Sequence, residues 1–166
     1  MIVISDTTPL VSFLKINRLD LLEKLFGGVQ IPRAVFEELT CNPKYQLEAE
    51  TVKNCSFIQI IDEIDEAYVS LLCRSSGLDL GESEAIYLSD NQKADILLMD
   101  EERGREVAVR MGIKIMGTIG VLALAYQDAV LSSQEIHDAI EILKNSGRHI
   151  SEKLYKQLLN FISGKE

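Results

Sequence analysis

Asp6, Glu38, Glu82 and Asp100 fall where hydrophobic strands or helices begin or end, spread over the first hundred residues. Asp6 closes the run Ile2-Val3-Ile4-Ser5, and Asp100 closes Ile96-Leu97-Leu98-Met99. Open α/β sheets build their sites where buried strands leave the sheet. Carboxylates gathered there repel one another, and the usual remedy is a divalent cation bound through oxygen. With Mg2+ or Mn2+ as the cation, the chemistry implied is hydrolysis of a phosphodiester.

Each acid has a plainer role to set beside that one. Asp6 would serve as a helix cap, although Thr7, Thr8 and Pro9 already supply a cap and a first turn. Ser5 and Thr7 add hydroxyls that would orient a metal-bound water. Glu38 lies three residues after Val35 and beside Leu39, which turns it inward, whereas Glu37 lies four after Arg33, a surface ion-pair spacing. Glu82 follows Asp79 at capping-box spacing, yet shares its helix side with Ala85 and Ile86; Glu84 reads as solvated. Asp100 would cap a helix starting at Glu101 with one oxygen and ligate with the other. Glu101 is an auxiliary ligand candidate. Arg105 belongs to a basic patch with Arg103, Arg110 and Lys114 and would contact phosphate or face solvent.

The elements that must position these residues alternate. Strands are expected at 2–5, 29–31, 56–61, 95–99 and 113–116, with helices between them. Gly27-Gly28 stops one helix, Pro32 opens the next, and Thr118 caps a later one that runs to Tyr126. Such alternation implies a parallel sheet with helices on both faces, an α/β fold of three layers. After residue 130 the pattern becomes purely helical. Ser132 to Glu135 is a capping box, and Leu154, Leu158 and Ile162 mark the apolar face of a final helix. No repeat or linker divides the chain, so 1–166 is expected to be one domain, an α/β core at 1–130 with a C-terminal helical hairpin at 131–166.

Composition narrows the function. With 166 residues and 46% hydrophobic content, the chain can bury a proper core. It lacks a run long enough to span a bilayer and a basic, apolar leader, so a cytoplasmic protein without a membrane partner is expected. Cys41, Cys55 and Cys73 are too widely spaced for a zinc knuckle. His137 and His149 both lie in the tail, against any Ser-His-Asp set. The net charge of −9 sits poorly with a polyanionic substrate. Metal binding at the acids, or a basic partner segment docking on the acidic body, would offset it.

The wording of five segments resembles the PIN domain, the fold of metal-dependent nucleases that includes the VapC-like toxins. They are residues 3–10 (VISDTTPL), 31–39 (IPRAVFEEL), 80–86 (LGESEAI), 97–101 (LLMDE) and 117–122 (GTIGVL). Their order is most similar to a poorly characterised prokaryotic PIN-like subgroup and covers nearly the whole chain. The resemblance implies a five-stranded sheet ordered 3-2-1-4-5 and metal-dependent RNA cleavage by Asp6, Glu38, Glu82 and Asp100. It also implies a hydroxyl, Thr118, near the acidic centre, frequent homodimers and, for toxin members of type II pairs, a cognate antitoxin. Position 101 is Glu where the subgroup often has a second Asp. The rival readings are a non-catalytic PIN-like module that binds nucleic acid or protein, and a metal-dependent phosphatase acting on small esters.

Overall fold

The computed structural model describes residues 1–164. Five short runs rich in Val, Ile and Leu form the strands: β1 Val3–Ser5, β2 Val29–Pro32, β3 Ile58–Ile61, β4 Ile96–Leu98 and β5 Ile115–Met116. All pair in parallel, in the order β3-β2-β1-β4-β5. The order reverses at β1, and the crevice between β1 and β4 is therefore the topological switch point, where open α/β sheets place their ligands.

Ten helices complete the described chain. In the first half they are α1 Thr7–Lys15, α2 Asp20–Phe26, α3 Arg33–Cys41, α4 Gln46–Lys53 and α5 Glu66–Ser76. In the second half they are α6 Leu80–Asn91, α7 Glu102–Arg110, α8 Thr118–Gln127, α9 Ser133–Asn145 and α10 Glu152–Ser163. A 3-10 turn, Pro43–Tyr45, precedes α4. Side chains alternate across a strand, so the central strands feed two cores. Val3 and Leu98 pack with α1, α2, α3 and α8 to α10 on one face. Ile4, Leu97 and Met99 pack with α6 and α7 on the other. The result is the three-layer α/β/α arrangement implied by the alternating pattern.

Local signals set the boundaries that matter for the site. Gly27 closes α2 with φ +78°, a left-handed conformation that glycine adopts without a Cβ clash. Asp65 caps α5, and its carboxylate accepts the Tyr68 amide at 3.0 Å. Three expectations shift. α1 begins at Thr7 with Asp6 at the cap position, so Thr7 and Thr8 lie inside the first turn. α8 begins at Thr118 with Gly117 at its cap. On α10 the buried face is Tyr155, Leu158 and Ile162, with Leu154 left 42% exposed. The spacing 155, 158, 162 follows the helical stripe as well as 154, 158, 162 does, and the larger ring takes the core place. All three cysteines are free.

Candidate functional site

Asp6 leaves the sheet at the end of β1 and is only 3% exposed. It occupies the cap position of α1, yet its side chain makes no cap hydrogen bond. Burial drives its pKa well above the ordinary carboxylate range; the Thr7 amide opposes this, and the charges of Glu82, Asp79 and Glu38 reinforce it. The side-chain charges that act on it are therefore those of acids. The hydroxyls expected to serve a metal-bound water are otherwise engaged: Ser5 donates to the Asp6 carbonyl at 2.8 Å, and Thr7 donates to Glu38 Oε2 at 2.7 Å.

Val35 and Leu39 bury one face of α3, which leaves Glu38 half-buried at the site and Glu37 exposed. Arg33 does not pair with Glu37 as its spacing suggests. It clasps both oxygens of Asp62 instead, at 2.6 and 3.0 Å. Glu84 is also corrected: its carboxylate is not solvated but accepts the Ala34 amide at 3.1 Å, capping α3 from α6.

Glu82 carries two roles together. Its amide donates to Asp79 at 2.8 Å and its carboxylate accepts the Asp79 amide at 3.0 Å, a complete capping box at the start of α6. Burial raises its pKa against the pull of the Asp79 amide, and the charges of Asp79, Glu101 and Glu38 raise it further. A Cβ on Gly81 would lie 3.6 Å from an oxygen of both Asp79 and Glu38, so these two acids approach a common point. Asp79, read from the sequence only as a cap, is thus a fifth acid of the centre. Its capping-box spacing to Glu82 was the one signal available.

Asp100 lies two residues beyond Leu98, the register partner of Ser5, so β1 and β4 deliver Asp6 and Asp100 to the same sheet edge. It does not cap α7. It accepts the amide and hydroxyl of Thr118, at 2.7 and 2.6 Å, and so caps α8 from across the sheet. Arg148, in the connection between α9 and α10, reaches the same oxygen as the Thr118 hydroxyl, with Nη2 3.3 Å from Oδ2. Glu101 is exposed and makes no cap hydrogen bond. Arg105 is half-buried, and its Nη1 donates to the Met99 carbonyl at 2.8 Å. Arg148 is the functional candidate that the sequence did not reveal.

Among the described residues, no three His, Cys, Asp or Glu side chains converge closely enough to hold a metal ion. The donor set still suits a hard cation. It is all oxygen, and the Thr7 amide partly offsets the charge of its most buried member, Asp6. Mg2+ keeps several waters and takes one or two carboxylates directly, so a closed cage is not required.

A PIN-domain family model matches residues 2–163, and the chain belongs to the PIN-domain family, whose members are generally nucleases. No curated protein matches the chain. No described helix is long and apolar enough to cross a membrane.

Proposed function

We propose that the protein is a divalent-metal-dependent endoribonuclease, with Mg2+ or Mn2+ held by Asp6 and Asp100 directly and by Glu38 and Glu82 directly or through water. The observation that carries this reading is the buried Asp6 carboxylate at the switch point, acted on by the charges of Glu82, Asp79 and Glu38, the last two of which approach a common point beside Gly81. When bound, the cation lowers the pKa of a coordinated water and offsets charge developing on the phosphate. The protein's own groups do the rest. Asp6 fixes the depth of the centre, Thr7 orients Glu38, and Thr118 orients Asp100. Glu101 is an auxiliary ligand.

Mn2+ calorimetry and cleavage of labelled RNA, run on wild type and Asp6→Asn, test the reading. Loss of both in the variant is expected; retained cleavage in Asp6→Asn sinks the assignment. Small phosphate esters should not be turned over, which separates the nuclease from a phosphatase. The biological setting we infer is that of a cytoplasmic protein, a homodimer and the toxin of a type II pair with its cognate antitoxin, to be checked by light scattering and co-purification. A second reading, a binding module without turnover, is favoured by the Arg148 contact on Asp100 and by the net charge of −9. Metal binding without cleavage of any RNA supports it.

A further inference from the structure

The acidic centre needs a counterpart for the substrate's own charge, and the fold supplies one from its far end. Arg148 is 16% exposed at its side chain. Its Nε is anchored on Ser12 of α1 at 2.8 Å, and Nη2 reaches Asp100 at 3.3 Å. Nη1 has no hydrogen-bond acceptor among the described residues. A guanidinium presents five donors in a fixed fork, so a largely buried one with open donors is suited to a planar or tetrahedral oxyanion. Arg148 and Asp100 both line a groove of about 1130 Å3 between α7, α8 and the start of α10. On the buried face of α10, the Tyr155 hydroxyl has no hydrogen-bond partner among the described residues, on a residue 2% exposed. Burial raises the pKa of that phenol, the charge of Arg148 opposes the rise, and the charges of Glu152 and Asp100 add to it.

We propose that Arg148 is the phosphate-contacting residue of the site, parked on Asp100 in the free protein and transferred to a non-bridging oxygen of a nucleic-acid strand lying in this groove. The Tyr155 hydroxyl accepts the guanidinium N–H that Asp100 gives up. This rests on the nuclease reading for the role of Asp100. It also answers part of the charge conflict: Asp100, Glu101, Glu102 and Glu106 line the groove against Arg105 and Arg148, and a tethered guanidinium supplies locally a contact that a basic face would otherwise make.

The test uses anisotropy of one labelled single-stranded sequence, as RNA and as DNA, titrated in EDTA so that no turnover intervenes. Wild type, Arg148→Gln, Arg148→Lys and Tyr155→Phe are compared, with Mn2+ calorimetry alongside. Arg148→Gln should weaken strand binding about tenfold or more. It should also lower the slope of log K against log salt by about 0.7, the value for one phosphate contact on a single strand. Mn2+ should bind it more tightly, because the competing cation at Asp100 is gone. Arg148→Lys should restore the salt slope but only part of the affinity, since a point charge lacks the fork. Tyr155→Phe should keep wild-type stability yet lose about threefold in strand affinity. Should Arg148→Gln fail to fold, Arg148→Lys and Tyr155→Phe decide the matter. Unchanged affinity and slope in the folded variants, or no strand binding by wild type, overturns the proposal. Failure of the nuclease reading appears separately, as cleavage that survives in Asp6→Asn.

Discussion

Asp100 accepts two hydrogen bonds from one residue, Thr118: the backbone amide at 2.7 Å and the hydroxyl at 2.6 Å. The pair joins the end of β4 to the first turn of α8, and Thr118 is fully buried. The α8 dipole adds to it, since a helix N-terminus favours a negative partner.

Removing the hydroxyl alone should therefore be felt. Thr118→Val keeps the amide bond but loses the 2.6 Å contact, with an expected cost of about 2 kcal/mol by urea unfolding. Thr118→Ser should recover most of it. Equal midpoints for the Val and Ser variants would show that the hydroxyl contributes nothing.

Asp6 governs the pH response. Burial raises its native pKa well above the unfolded value, and burial likewise raises Glu82 and Glu84. A carboxyl of this kind holds more protons when folded, so stability falls as pH climbs from the unfolded value, about 4, through the raised native one. With EDTA present, the urea midpoint should decline across that window. Asp6→Asn should flatten the decline and raise stability at pH 7 by about 1–2 kcal/mol, the usual exchange at a site built for function. Added Mn2+ should stabilise wild type by about 2.7 kcal/mol at a hundredfold excess over its Kd and leave Asp6→Asn unmoved.

Glu84 holds α3 in place through the Ala34 amide, and Glu38 lies one turn further along the same helix. Glu84→Ala should cost about 1 kcal/mol, as the loss of a cap does. It should also weaken Mn2+ binding, although the acids whose charges act on Glu84 are Glu37 and Glu66 and not those of the centre. A loss of stability with unchanged Mn2+ affinity would separate the two effects and refute the second.

Two glycines should respond in opposite directions. A Cβ at Gly117 would stand 2.9 Å from Asp100 Oδ1 and 3.1 Å from Arg105 Nη1, although its φ of −91° suits any residue. Gly117→Ala should displace Asp100 from Thr118 and cost about 2 kcal/mol. At Gly81 the nearest atom would be 3.5 Å away, ordinary contact, so Gly81→Ala should gain about 0.5 kcal/mol from helix propensity. Matching signs in thermal unfolding would contradict this account.

Much of this architecture was legible because it is local. The Val, Ile and Leu runs, the Gly27 stop and the Ser132 capping box each declare themselves within a few residues, and they imply the layers and the acids that end the strands. What escaped was relational. Arg148 and Ser12 meet across 136 positions, Glu84 and Ala34 across 50, and nothing in either neighbourhood names the other. Asp100 was read as capping the helix next to it, whereas its oxygens go to Thr118 eighteen residues on. Helix starts shifted by one residue for a related reason: Asp6, Thr7 and Thr8 are all competent caps, and tertiary partners decide among them.

The placement of β1 at the middle of the sheet also has a temporal side. Its partner β4 comes more than ninety positions later, and the Ile2 amide waits for Asp95. At about 5–20 residues per second, a ribosome would take roughly 5–20 s to cover that distance. Throughout that interval one edge of the nascent first strand stays open, an apolar template for wrong pairing. The growing chain thus depends on α1 and β2 to shelter it, and sequence changes that delay those two elements should show up first as lost yield during synthesis, before any loss in the finished molecule.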